Sequence, residues 1–209
     1  MDLSVLTWNV RGCSRKQKRR ALKNLIKKHR PDIMFIQETK VEALSVFEVK
    51  RLWYNTVSDY VLSPTLGSVG GLLSIWNSDF IQVSEKFVSR RYIAIIGVCK
   101  NSGTVCGFLN VYGPSIDSEK EGFLVEVLDF VLAKKIPWCL GGDFNLILDK
   151  VEKQGLSVNN AMISAFRNFV CSAGVRDLPL MGGSTHGATI VKSPRLFVWI
   201  GSSYLQILS

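Results

Sequence analysis

No stretch of this chain approaches the roughly 18 consecutive apolar residues that a membrane span requires, and Met1 to Val10 has no cationic segment ahead of an apolar core of signal-peptide length. A soluble, intracellular protein, nuclear or cytoplasmic and not secreted, is expected. There is no C-x-x-C pair either. Cys13, Cys99, Cys106, Cys139 and Cys171 are odd in number and widely spaced, which argues against a zinc or disulfide framework and predicts reduced packing residues. Repeats, low-complexity segments and linkers are also missing, so one domain over 1–209 is expected, with its pattern weakening from about residue 182. A monomer is expected.

Acidic charge is missing from two places. No carboxylate follows Asp177, and none interrupts the segment from Arg15 to Arg30, which holds Arg15, Lys16, Lys18, Arg19, Arg20, Lys23, Lys27, Lys28 and Arg30. The formal charge of the whole chain is +9, so those nine cations account for all of it and the remainder is balanced. Such a segment is the footprint of a polyanionic partner, most simply nucleic acid, or else a solvated helix face. Leu22, Leu25, Ile26 and His29 recur at helical spacing within it, predicting an amphipathic helix with its cations outward, stopped by Pro31. His29 reads as a packed helix-end residue.

What is present is an apolar share of 47% with eleven Phe and five Trp, enough for a folded α/β core. Strands are predicted over Leu3 to Trp8, Asp32 to Gln37, Leu72 to Trp76, Phe80 to Val88, Tyr92 to Cys99, Thr104 to Val111 and Ile136 to Leu140. The first two flank the basic helix, so a parallel crossover would bring Asn9 and Glu38 to one sheet edge. The middle strands read as antiparallel, with a hairpin at Asn101-Ser102-Gly103. Further helices are predicted from Glu42 to Trp53 with Leu44, Phe47 and Leu52 inward, from a capping box at Ser118 and Glu121, and from Asn160 to Gly174. Leu124, Val127, Leu128, Val131 and Leu132 would be the buried face of the second. Met162, Phe166, Phe169 and Val170 would be that of the third.

Gly141-Gly142-Asp143-Phe144-Asn145 follows a strand, and an acid and an amide two residues apart on extended backbone point the same way. Such a pair can orient a water and hold a phosphate oxygen, or it can form a turn bonded only to nearby backbone. Tyr112, before Gly113-Pro114, is placed to project a hydroxyl into a cleft or to lie at the edge of the core. Glu38 is a plausible ligand for a hard cation or a surface acid. Arg90 and Arg91 read as a loop contact to phosphate or, more simply, as a solvated turn.

Trp8-Asn9, Gln37-Glu38, Asn110-Val111-Tyr112-Gly113-Pro114 and Gly141-Gly142-Asp143-Phe144-Asn145, in this order, resemble the endonuclease/exonuclease/phosphatase family, and most of all the endonuclease domain of plant LINE-type (non-LTR) retrotransposons. The resemblance implies a four-layer α/β sandwich, two mostly antiparallel sheets face to face with helices outside. It implies phosphodiester hydrolysis with Mg²⁺ or Mn²⁺, and DNA as partner. By that resemblance Glu38 and Asn9 hold the metal, and Asn9, Arg11 and Asn145 bind substrate. Tyr112 contacts the phosphate and Asp143 orients or deprotonates the attacking water. Arg15, Lys16, Lys18 and Arg19 would contact nucleic acid. The resemblance weakens at the end: Ser184-Thr185-His186 stands where the family has Phe-Thr-Trp, Ser193 to Phe197 lacks the family's acid, and no Ser-Asp-His follows. A degenerate or truncated domain with its last strand or strands missing, impaired in turnover, is therefore expected. Its alternative is a non-catalytic nucleic-acid-binding remnant using the helix at 15–30.

Overall fold

The computed structural model describes residues 3–13, 16–54, 57–65, 70–152, 159–178 and 195–199. Two sheets face each other, and helices cover both outer faces. The first sheet contains β1 (Val5–Asn9), β2 (Ile33–Gln37), β3 (Ser58–Ser63) and β4 (Leu72–Asn77) in the order β1-β2-β4-β3. The second contains β5 (Ile81–Val88), β6 (Tyr92–Cys99), β7 (Thr104–Tyr112), β8 (Trp138–Asp143), β9 (Val175–Leu178) and β10 (Arg195–Trp199) in the order β5-β6-β7-β8-β10-β9. Only β1·β2 and β7·β8 are parallel; all other neighbours are antiparallel. The expected four-layer sandwich is thus present.

Side-chain alternation sorts the residues into three apolar layers. Ile33 and Phe35 of β2, Ile93 and Ile95 of β6 and Phe108 of β7 meet between the sheets. Met34 and Ile36 face the other way, onto Leu22 and Ile26 of α1 (Lys16–His29) and Val49 and Leu52 of α2 (Val46–Leu52). Ala94, Ile96, Leu109 and Leu140 face α3 (Asp117–Ala133) and α4 (Asn160–Ser172), whose Phe123, Val127, Phe166 and Phe169 complete that layer. Each Val, Leu, Ile, Met or Phe among them contributes roughly 1.5–3 kcal/mol on full burial.

Several local expectations change. The second helix is shorter than Glu42 to Trp53, because Ser45 forms a capping box with Glu48 and sets its start there. Phe47 then points outward, 67% exposed. The third helix starts at Asp117 after Ile116, which makes no side-chain cap, so Ser118 and Glu121 form no capping box. Leu132 is exposed on the far side of that helix from Val127 and Val131. His29 is exposed at the end of α1, where Arg30 turns the chain with φ 44°. In α4, Met162 is only half-buried and Ile163 takes the buried place. The cysteines are free thiols, four of them buried; Cys171 is exposed on α4 and packs no core.

The strands β3, β9 and β10 had no counterpart in the predicted pattern. β10 lies in the sheet between β8 and β9, with Arg195 opposite Gly142. The turn-like segment Gly182 to Gly187, including Ser184 to His186, lies outside the described residues, as does Arg15.

Candidate active site at the joined edge of the two sheets

Two parallel strand pairs, one in each sheet, end at the same edge. The register of β1 on β2 sets Asn9 against Gln37, so Glu38 follows at once. That of β7 on β8 sets Tyr112 against Asp143. Beneath them a buried hydrogen bond ties the sheets together: Gln37 Nε2 donates to Asn110 Oδ1 at 2.7 Å, and Asn110 Nδ2 donates to Leu73 O at 3.1 Å and Ser74 Oγ at 3.2 Å. Both amides are fully buried. Apart from Gln37 Oε1, which has no hydrogen-bond partner among the described residues, the polar atoms of the pair are bonded, and the pair fixes the height of one sheet against the other directly under the site.

The side chains above converge. Asn9 Nδ2 donates to Glu38 Oε1 at 2.7 Å and to Asp143 Oδ2 at 2.8 Å, while Asn9 Oδ1 accepts from the backbone N–H of Arg11 at 3.1 Å. That third bond fixes which way the amide faces. Asp143 is 7% exposed, and its other oxygen accepts from the backbone N–H of Asn145 at 2.9 Å. Asn145 is not on extended backbone as its spacing suggested. Its φ is 54°, and its amide donates to Gly113 O at 2.7 Å, so the segment is an Asx turn that sets Asp143 rather than a strand continuing past it.

Tyr112 is buried with its hydroxyl hydrogen-bonded to Glu38. Burial, the charge of Glu38, that hydrogen bond and the charge of Asp143 push its phenol up to about 12, with Arg91 opposing. Tyr112 is therefore a neutral donor at neutral pH. Arg91 is no merely solvated turn residue: it pairs with Glu119 at 2.5 Å, and its carbonyl accepts from the N–H of Tyr112 at 2.8 Å.

Backbone strain gathers here. Arg11 (φ 48°), Glu38 (φ 51°), Lys40 (φ 52°) and Asn145 (φ 54°) are four of the five non-glycine residues with left-handed backbone among the described residues. Each such conformation costs about 1–3 kcal/mol and persists where the surroundings over-determine it. Gly142 has φ 136°, and a Cβ there would lie 2.1 Å from Val111 O. Only glycine lets β8 lie this close to β7 beside Asp143.

The donor set suits a hard divalent cation. Glu38 and Asp143 bring two carboxylates to one atom, and no ion pair among the described residues neutralises either. Glu38 and Asp143 could hold such an ion through their carboxylate oxygens, with water or phosphate completing its shell. Asn9 turns its NH₂ to both and its Oδ1 to the Arg11 N–H, so it would offer oxygen only with its amide turned over. No third acidic, histidine or cysteine ligand joins them among the described residues. Arg11 is exposed beside Asn9.

Of the four cations expected to touch nucleic acid, two are engaged with the protein. Lys18 Nζ donates to Val10 O at 2.6 Å and Arg11 O at 2.8 Å, and Arg19 donates to Cys13 O at 2.9 Å and pairs with Glu48 at 2.9 Å. They anchor the loop that carries Arg11 to the first turn of α1. Lys16 is exposed. Asn110, Gln37 and Gly142 lay inside the sequence motifs without a role; for the two amides the signal was a polar residue within a predicted buried strand.

A profile described as the Endonuclease/Exonuclease/phosphatase family matches residues 6–197. No curated protein matches the chain significantly. Among solved structures, a 3′ phosphatase from Neisseria bound to product DNA hairpin is 17% identical with a TM-score of 0.70, over 94% of this chain and 86% of that one. An AP endonuclease from Archaeoglobus fulgidus is 17% identical with a TM-score of 0.67, over 94% and 86%. A mannosyl-6-phosphatase from Bacteroides thetaiotaomicron is 18% identical with a TM-score of 0.65, over 95% and 85%. At these identities the likeness concerns the fold. No helix among the described residues is long and apolar enough to cross a membrane.

Proposed function

The chain belongs to the endonuclease/exonuclease/phosphatase family, and on that premise we propose that it is a divalent-cation-dependent phosphodiester hydrolase acting on nucleic acid. DNA is the substrate favoured by the resemblance to retrotransposon endonucleases. The carrying observation is the convergence of Glu38 and Asp143 on Asn9, one residue above the hydrogen bond that joins the two sheets.

In this proposal Glu38, with Asn9 once its amide has turned over to present Oδ1, would hold Mg²⁺ or Mn²⁺, whose charge would offset that of the phosphate. Asp143 has an N–H on each oxygen and so presents a fixed carboxylate to the attacking water. Tyr112, kept protonated, donates to a phosphate oxygen without adding negative charge. Asn145 and Arg11 bind the phosphate oxygens beside it. Slow turnover is part of the proposal, because no carboxylate follows Asp177 in the sequence to orient a histidine as proton donor to the leaving oxygen; loss of one such group costs typically about 10²–10⁴ in rate.

Nicking of supercoiled plasmid tests this. Slow nicking with Mg²⁺ or Mn²⁺ is expected, stopped by chelation and lowered about a hundredfold or more by Asp143→Asn. Nicking indifferent to the metal or to Asp143→Asn contradicts the proposal, as does hydrolysis of a phosphorylated sugar in preference to DNA.

A further inference from the structure

The acid-free helix carries two unlike sets of cations. Lys18 and Arg19 turn back onto the loop at Val10 to Cys13. Lys16, Arg20, Lys23 and Lys27 are exposed, and none pairs with a carboxylate among the described residues. Their spacing of four, three and four residues places all four within an arc of about 60° and along about 17 Å of helix. The centre of that stripe lies about 110° round the axis from the buried pair Leu22 and Ile26.

The stripe has a start and a direction. The bonds from Lys18 and Arg19 hold the first turn of α1 against the loop that leaves Asn9, so Lys16 is at the site end. Because β1 and β2 are parallel, α1 must return from the site edge to the opposite edge, and Lys27 lies far down the flank. A phosphate chain that occupied both the site and the stripe would have to turn from the edge onto that flank. A single strand does so freely, whereas a duplex with a persistence length of about 150 bp resists it. An anionic membrane fits less well, since the apolar face of α1 is buried and the stripe offers no aliphatic or aromatic anchor.

We propose that Lys16, Arg20, Lys23 and Lys27 form a track for the backbone of a single-stranded nucleic-acid segment that extends from the Asn9–Glu38–Asp143 centre. The track rests on the phosphodiesterase proposal only for where it begins. It binds by phosphate neutralisation, without sequence preference and with steep salt dependence.

The test is fluorescence anisotropy of the full chain, with chelator present, on a short labelled single strand and its duplex across a salt series. The combined variant Lys16→Gln, Arg20→Gln, Lys23→Gln, Lys27→Gln is compared with wild type. Gln preserves helix propensity, and circular dichroism checks the fold. The slope of log affinity against log salt should fall by about 3 on the single strand, at about 0.7 for each phosphate contact, and by about 1 on the duplex, which reaches only Lys16. Should the combined variant lose helix, Lys23→Gln and Lys27→Gln singly should each remove about 0.7. A control pair on other surfaces, Lys100→Gln with Lys135→Gln, should leave both slopes unchanged. An unchanged single-strand slope, an equal loss in the control, or binding to anionic vesicles without binding to the oligonucleotide would overturn the track. Because the readout needs no metal and no turnover, failure to nick plasmid bears on the enzymatic proposal alone.

Discussion

At the scale of single residues, the site is a problem of like charge. Asp143 and Glu38 share one amide donor, and Tyr112 feels both. The phenol pushed up to about 12 has a stability consequence of definite sign. An unfolded tyrosine titrates near 10, so between about 10 and 12 the unfolded chain has released a proton that the folded protein keeps. Stability present below about pH 10 is lost as pH rises through 12. In metal-free protein, wild type should lose stability across that window faster than Tyr112→Phe, measured by chemical unfolding at stepped pH. Coincident alkaline profiles would show that burial beside Glu38 and Asp143 does not raise the Tyr112 phenol. That the residues proposed for the site would meet was legible from the motifs: Asn9, Tyr112 and Asp143 end strands, Glu38 follows one, and Asn145 lies two residues past one. The partners of Gln37 and Asn110 were not, since their bond spans 73 residues and nothing local marks it. Nor could the sign of Lys18 and Arg19 tell that they point into the protein instead of toward a ligand.

At the scale of elements, long periodic segments were readable and edges were not. The middle strands and α1 follow from their patterns. Three strands were missed: β3 and β9, which lie at sheet edges and carry polar residues, and β10, whose five residues are too short a run to alternate clearly. Such strands show little alternation because pairing partners, not side-chain burial, define them. The start of α2 moved because Ser45 takes the cap, and that of α3 because no side chain caps it and Ile116 simply precedes its first turn. Two glycines separate a positional requirement from a propensity. Gly142→Ala puts a Cβ onto Val111 O at a φ closed to L residues and should destabilise by about 3 kcal/mol or more. Gly122 lies exposed within α3 with nothing within 4 Å of a Cβ, so Gly122→Ala should stabilise by about 0.5–1 kcal/mol. Urea unfolding of both variants checks the pair, and the same sign in both would contradict the close approach of β8 to β7.

At the scale of the whole molecule, the fold is a device for bringing two pairs of strand ends together. One parallel pair in each sheet delivers an amide with an acid and a tyrosine with an acid, and the Gln37–Asn110 bond holds the two deliveries in line. The positive charge stands apart from this acidic centre, along one helix on the flank. A separation of that kind suits a polyanion that reaches the centre at one phosphate and is held at others. The family motifs made the two-sheet architecture foreseeable. The alignment of the sheets was not, because it depends on buried polar contacts rather than on any strand's own pattern.

The most direct measurement is Mn²⁺ binding to the metal-free protein, followed by the electron paramagnetic resonance signal of the free ion. Wild type should take up the ion at a site that Glu38→Gln and Asp143→Asn each weaken at least tenfold, since substitutions even of residues behind metal ligands typically cost about 10–100-fold. Binding of equal strength in wild type and both variants would contradict a cation centre at Glu38 with Asp143 beside it.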